Sequence, residues 1–202
     1  MARPRKFNEQ AALTAALDAF WARGYEATST RDLTSVMGMT QPSLYNAFGD
    51  KRSLFLLALE GYLDGTVRER MARLEATLPP AAAITAYFSE SLERSLADPL
   101  HRGCLLVNTA LEVTPEAVDL QRTVASAFEE IRDFFRRQFT AAQQAGEVDA
   151  VLSADEVSAQ LLAVLLGMRV LARAAPERAL LEGGVRPTLA LLGLPPPGAG
   201  TG

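Results

Sequence analysis

Hydrophobic residues recur along this chain at intervals of three and four, the spacing that places them on one face of an α-helix. No segment shows the alternation of a β-strand bounded by hairpin turns. Gly and Pro residues interrupt the pattern and predict the helix boundaries. The expected helices cover residues 8–23, a short helix between Ser29 and Gly38, and residues 41–48, 51 into the seventies, 81–97, 101–113, 115–145, 154–174 and 177–192. The predicted fold class is all-α.

The first quarter of the chain predicts a small helical core. Ser29 and Asp32 have the spacing of a capping box ahead of the second helix, and Thr40 is placed to cap the third. The apolar stripe expected on the first helix comprises Leu13, Ala16, Leu17, Phe20 and Trp21. The apolar face expected on the second helix comprises Leu33, Val36 and Met37.

The second and third helices are joined only by Gly38-Met39-Thr40, which is the arrangement of a helix-turn-helix. Gly38 suits the sharp turn because glycine tolerates a positive φ. In such motifs the outer face of the later helix reads the major groove. The polar side chains available on that face are Gln41, Ser43, Tyr45 and Asn46. The competing interpretation is an ordinary helical fold with a solvated polar face.

The stretch from Ala12 to Tyr62 resembles the N-terminal domain of tetracycline-repressor-type regulators, and the segment PSLYNAFGDKRSLF carries the most specific part of the resemblance. Thr34 departs from the pattern, since such motifs usually have a small apolar residue there. The resemblance implies DNA contacts from Thr30, Thr40, Gln41, Ser43, Tyr45, Asn46 and Lys51. A basic arm at Arg3, Arg5 and Lys6 could reach an adjacent groove or the DNA backbone.

The resemblance also predicts the domain organisation. Residues 1–52 would form the helix-turn-helix domain, followed by a connecting helix at about 51–76. Residues 77–194 would form a helical regulatory and dimerisation domain, and residues 195–202 a disordered tail. The strongly apolar helix around Val157–Leu171 is expected to lie at a subunit interface, with an ordinary monomeric core as the alternative.

Composition limits the remaining possibilities. Residues 1–52 hold seven Lys and Arg against five Asp and Glu, whereas the rest of the chain holds thirteen against nineteen, so a mildly basic head precedes an acidic body. No apolar run reaches about 18 residues and no signal peptide is evident, which predicts a cytoplasmic protein without a membrane partner. One His and one Cys leave no pattern for a metal site, a cofactor or a catalytic triad. We therefore expect neither an enzyme nor a cofactor.

Candidate residues for sensing lie in the C-terminal part. A ligand pocket could involve Phe88, Cys104, Asn108, Phe128, Phe135 and Met168, although such side chains are more often plain core. Cys104 is either a small buried hydrophobe or a redox or electrophile switch, since a helix N-terminus activates a thiol and His101 could share its face.

The predicted function is that of a ligand- or stress-responsive regulator that acts as a repressor. It would bind a palindromic DNA operator as a homodimer and be released by a small-molecule inducer or by modification of Cys104. The alternative is a ligand-independent activator or architectural DNA-binding protein, which would have the same head.

Overall fold

The computed structural model describes residues 8–197, which form α-helices and contain no β-strand, so the all-α prediction is confirmed for this part of the chain. The basic arm predicted at Arg3, Arg5 and Lys6 and the last five residues of the predicted tail lie outside the described residues. The helices are α1 (Glu9–Arg23), α2 (Thr30–Met37), α3 (Gln41–Phe48), α4 (Lys51–Tyr62), a π-helical segment (Leu63–Arg68), α5 (Glu69–Thr77), α6 (Pro80–Ala97), α7 (Leu105–Glu112), α8 (Val118–Gln144), α9 (Ala154–Ala174) and α10 (Arg178–Leu191).

The chain divides into two compact units, one ending at Tyr62 and the other beginning at Leu63. The boundary falls within the helix that was predicted to connect the two domains. At this point the backbone leaves the α-helical hydrogen-bonding pattern for the π-helical segment and returns to it at α5. Such π-helical turns are rare and occur preferentially at functional positions.

The core of the first unit forms where α1 packs against α2 and α4. Phe20 is fully buried, and its ring lies 4.9 Å from the ring of Phe55 in an edge-on arrangement. The buried row on α1 is Ala12, Ala16 and Phe20, whereas Leu13, Leu17 and Trp21 are half-buried. The predicted stripe was therefore too wide, because α2 and α4 cover only the row of α1 that repeats every four residues.

Val36 was predicted to point inward and does not. It is 48% exposed, whereas Leu33 on the same helix is completely buried. Because α2 has barely two turns and packs mainly through Leu33, a residue three positions later is carried past the edge of the contact.

The second unit is built around an aromatic cluster where α6 packs against α8. The rings of Phe88 and Phe135 stack with centroids 5.6 Å apart, and Tyr87 contacts Phe134 and Phe135 at 5.5 Å. The two phenylalanines of that stack are among the largest fully buried side chains. Helix α9 packs against α8, α6 and α10 and closes this core.

The predicted helix over residues 101–113 was wrong at its start, since α7 begins only at Leu105. Residues His101 and Gly103 have positive φ values of 46° and 73°, which an α-helix does not accommodate. The carboxylate of Asp98 accepts hydrogen bonds from the backbone N–H groups of Leu100 and Arg102 and so stabilises a loop. His101 and Cys104 therefore do not share a helical face as predicted, and Cys104 is the N-cap residue of α7.

Within residues 8–197, α9 alone is long and apolar enough, by length and composition, to cross a membrane. Core helices pass the same test, and Leu161, Leu165 and Met168 of α9 are buried within the second unit. Other apolar side chains of α9 are half-buried or exposed, such as Val170.

Candidate nucleic-acid interface

The turn between α2 and α3 is held by its own backbone. Gly38 adopts the left-handed conformation, with φ 64° and ψ 35°, and thereby ends α2. The N–H of Met39 then donates to the carbonyl oxygen of Thr34 at 3.1 Å. Thr34, the position that departs from the family pattern, thus supplies a backbone acceptor that any residue could provide. The turn is as tight as the sequence predicted.

Caps begin both helices of the motif as predicted. The side chain of Ser29 accepts from the N–H of Asp32, and the carboxylate of Asp32 accepts in return from the N–H of Ser29, which completes a capping box. The side chain of Thr40 accepts from the N–H of Ser43 at 3.4 Å at the start of α3. These caps satisfy backbone N–H groups that have no partner within the helix.

Helix α3 has one buried face and one polar face. Leu44 and Phe48 are buried and attach the helix to the first unit. Five of the predicted DNA contacts lie at the cap of α3 or along the helix, and all five are exposed: Thr40, Gln41, Ser43, Tyr45 and Asn46. Because their side chains are attached to a helix fixed by its apolar face, they form one rigid polar surface. This α3 surface carries amide and hydroxyl groups that can donate to and accept from base edges.

Hydrogen bonds order part of the α3 surface. The Gln41 amide donates to the Tyr45 hydroxyl at 3.4 Å, one helical turn away. The hydroxyls of Thr40 and Ser43 lie 2.9 Å apart. Tyr45 nevertheless keeps 44% of its surface exposed, so its ring and hydroxyl remain available for contact with DNA.

The two outlying predicted contacts lie at other helix starts. Thr30 is the first residue of α2, and Lys51 is the first residue of α4. The ammonium of Lys51 donates to the carbonyl oxygen of Glu26 at 3.3 Å and lies 4.4 Å from the centre of the Tyr25 ring. Both positions are at helix N-termini, where free N–H groups favour phosphate oxygens.

Tyr25 is a positioning residue that sequence reasoning missed. Its ring packs 4.9 Å from that of Phe55 and carries the Lys51 ammonium on its face. Burial raises the pKa of its phenol, which therefore stays neutral. No spacing rule could have paired Tyr25 with Lys51, because the two are 26 positions apart and meet only through packing.

Acidic side chains at the helix starts are held in the charged form. Hydrogen bonds from the backbone N–H and then the hydroxyl of Ser53 lower the pKa of Asp50, which caps α4. Hydrogen bonds from the hydroxyl and then the backbone N–H of Ser29 lower the pKa of Asp32. The caps that shape the motif therefore stay ionised at neutral pH, where a carboxylate at a helix N-terminus is favoured.

The predicted pocket residues all belong to the second unit, and Phe88 and Phe135 stack on each other. Phe88, Phe135, Met168, Cys104 and Asn108 are all buried, and Phe128 is half-buried. The amide of Asn108 donates to the carbonyl oxygen of Arg102 at 2.8 Å and so fastens the loop before α7. A separate cleft of about 460 Å³ opens beside the π-helical segment, and none of these six side chains lines it.

Comparison with known proteins agrees with this arrangement. Residues 12–58 match the family model described as bacterial regulatory proteins, tetR family. Residues 80–186, more than half of the chain, match the model described as tetracyclin repressor-like, C-terminal domain.

Individual relatives and a solved structure support the same family. The chain is 35% identical over 150 residues to the HTH-type transcriptional regulator YezE of Bacillus subtilis, covering 74% of this chain and 77% of YezE. It is 30% identical to the transcriptional repressor ComR of Escherichia coli, covering 85% of this chain and 82% of ComR. Among solved structures, a cysteine mutant of the tetR-family regulator CifR in complex with a 26-base-pair operator superimposes with a TM-score of 0.84 at 34% identity, covering 93% of this chain and 98% of CifR.

Proposed function

Because this chain belongs to the tetracycline-repressor family of transcriptional regulators, we propose that it is a repressor that binds a palindromic operator as a homodimer. The observation that carries this proposal is the α3 surface, an exposed polar face on a short capped helix in a helix-turn-helix. Two such helices would enter successive major grooves about 34–36 Å apart. We further propose that the protein acts in the cytoplasm, without a cofactor and without enzymatic activity.

Exposed apolar side chains in the last two helices support the homodimer. Val170 and Leu171 of α9 and Leu180 and Leu191 of α10 are all substantially exposed in the single chain, and Leu191 is 81% exposed. Large apolar side chains exposed on two helices that pack together are typical of protein interfaces. A second copy of the chain would cover this face and supply the second reading head.

We expect the purified protein to bind a duplex from the upstream region of its own gene far more tightly than a scrambled duplex of the same composition. Equilibrium binding measured over a salt series should give a steep negative slope, because several phosphates are neutralised by Lys and Arg. The complex should contain two protomers for each short duplex. Equal and weak binding to both duplexes, together with unchanged binding by Tyr45→Ala, would show that the head is only a scaffold.

We propose that the signal acts on the second unit. A small molecule would occupy a pocket opened among Phe88, Phe128, Phe135 and Met168, with Asn108 as a polar anchor. To convert the protein from mostly bound to mostly free, the signal must favour the released state by roughly 10⁴-fold, or about 5.5 kcal/mol. The tight aromatic stack in this core implies that ligand entry separates rings that are packed in the unliganded chain.

Modification of Cys104 is the alternative signal. Its thiol is buried at the start of α7, and its carbonyl oxygen accepts from the N–H of Asn108 at 2.9 Å. An added group on the sulfur would not fit this site without moving α7 or the loop before it.

Replacing Cys104 by serine should abolish release of the operator by hydrogen peroxide or by an electrophile. Because Cys104 is the single cysteine of the chain, this variant contains no thiol at all. The measurement is operator binding before and after oxidant treatment, with Cys104→Ala as the control for the polarity of serine in a buried position. Release that persists in both variants would exclude the thiol as the sensor.

A further inference from the structure

Two arginine side chains are buried inside the second unit. Arg70 on α5 is 6% exposed and Arg169 on α9 is 8% exposed. Charged side chains are almost never buried so deeply unless a group of opposite charge accompanies them. Their surroundings therefore show whether that opposite charge is provided by the protein.

The partners of Arg169 are electrically neutral. One nitrogen, Nη1, donates to the carbonyl oxygen of Ser91 at 3.1 Å and to the hydroxyl of Ser95 at 2.8 Å. Among residues 8–197, no carboxylate forms an ion pair with Arg169. The charge of this guanidinium is thus solvated by oxygen atoms but not neutralised.

Arg70 is only partly compensated. Its Nη1 donates to the Ser91 hydroxyl at 2.8 Å, and its guanidinium lies 5.3 Å from the centre of the Tyr87 ring. The nearest carboxylate, that of Glu90, is 3.6 Å away and also pairs with Arg73. The partly exposed carboxylate of Glu90 is therefore shared between Arg70 and Arg73.

The two buried guanidiniums bring two positive charges into the interior, and the carboxylate of Glu90 that pairs with Arg70 is shared with Arg73. Burial lowers the pKa of Arg70, and the positive charges of Arg169 and Arg94 act in the same direction, whereas Tyr87 and Glu90 act in the opposite direction. Burial raises the pKa of Tyr87 to about 12, so its phenol supplies no negative charge at neutral pH. A bound anion would offset these positive charges.

A cleft opens beside Arg70. The cleft of about 460 Å³ is lined by Gly65 and Thr66 of the π-helical segment, and Arg70 and Arg94 form part of its wall. A Cβ atom added at Gly65 would meet no atom within 4 Å, so the cleft is open beside this glycine. Arg70 therefore forms part of the wall of a cleft that is large enough for a small molecule.

We propose that the cleft binds the carboxylate group of a small organic anion, with Arg70 as the direct contact and Arg169 as a second positive charge behind it. A planar carboxylate can accept two parallel hydrogen bonds from a guanidinium. Glu69, Glu90 and Glu93 also line the cleft and would repel a dianionic phosphate more than a monoanion. That this anion is the signal for release rests on the proposed function, whereas its binding does not.

The test uses the full-length protein without DNA. Thermal unfolding is measured with hexanoate and benzoate and with the matched neutral compounds hexanamide and benzamide, at constant ionic strength and protein concentration. At a carboxylate concentration well above its Kd, we expect the Tm to rise by about 2–4 °C, while the amides leave it unchanged. No difference between carboxylates and amides in either pair would overturn the proposal.

Variants locate the effect. Arg70→Gln and Arg169→Gln should each remove the carboxylate-dependent rise, whereas Arg186→Gln, which deletes an exposed charge on α10, should retain it. If a glutamine variant does not fold, Arg70→Lys keeps the charge but loses the planar fork, and the rise should fall to less than half. A rise that persists at its full size in Arg70→Lys and in the folded glutamine variants would overturn the proposal.

The carboxylate-binding proposal and the proposed repressor function can each be contradicted without the other. Carboxylate binding is measured without DNA, and operator binding is measured on the unmodified chain without a carboxylate, so neither result depends on the other. If the unmodified chain did not bind the operator, the proposed function would be contradicted and the carboxylate test would be unaffected.

Discussion

Replacing Phe135 by alanine should lower the free energy of unfolding by about 3–5 kcal/mol, the usual cost of removing a fully buried phenylalanine ring. Phe135 has no exposed surface and contacts three rings, those of Tyr87, Phe88 and Phe134, at centroid distances of 5.5–5.6 Å. Neighbours on α6 and α8 are fixed by their own packing and cannot fill the space. Denaturant unfolding at fixed protein concentration measures the loss.

Phe128→Ala is the matched control for this prediction. Phe128 lies on the same helix, α8, but is half-buried, so its removal leaves a smaller cavity or none. The loss of stability should be clearly smaller than for Phe135→Ala. Equal losses in the two variants would mean that the aromatic cluster is not the centre of the core.

Replacing Asn46 by alanine should weaken operator binding by about 1–3 kcal/mol, or roughly 5- to 150-fold, for each reading head whose Asn46 contacts a base. The substitution changes both heads of the proposed dimer, so the total loss can reach twice that free energy. The reason is that the Asn side chain offers a paired donor and acceptor that alanine lacks. Asn46 is exposed on α3, so folding should be unaffected. Equilibrium binding to operator and to scrambled duplex measures the effect.

Lys51→Gln separates base reading from phosphate contact. Removing this charge should weaken binding to operator and scrambled duplex alike and reduce the salt slope by about 1 for each head. Ser35→Ala, an exposed change on α2, should leave both affinities unchanged. If Asn46→Ala weakened binding to both duplexes equally, Asn46 would be a backbone contact and the sequence would be read by other residues.

The first unit could be predicted closely from the sequence because its signals are local. Ser29 with Asp32, Gly38 and Thr40 each act within four residues of their own position, through capping or through a left-handed turn. The ends of α1, α2 and α3 therefore followed from short-range rules. The exposed side of α3 followed as well, since Leu44 and Phe48 mark its buried side.

Tertiary packing decided which apolar side chains are buried and where α7 begins, which the short-range rules do not predict. Leu13 and Val36 are as apolar as their buried neighbours, and only the limited width of the helix contacts leaves them partly or largely exposed. The loop before α7 is stabilised because the carboxylate of Asp98 accepts hydrogen bonds from the backbone N–H groups of Leu100 and Arg102. A helical pattern would have predicted hydrogen bonds within a helix for these groups.

The two buried arginines show the same difference between what the sequence predicts and what packing decides. An arginine in the apolar sequence of α9 could be noticed in the printed chain, but its meaning depends on what surrounds it. Arg70 and Arg169 are 99 positions apart and both donate hydrogen bonds to Ser91 only after α5, α6 and α9 pack together. The sequence by itself determined the helices, their caps and the reading face, because these depend on neighbouring residues. The structure alone determined which charges share the interior, because that depends on contacts between distant helices.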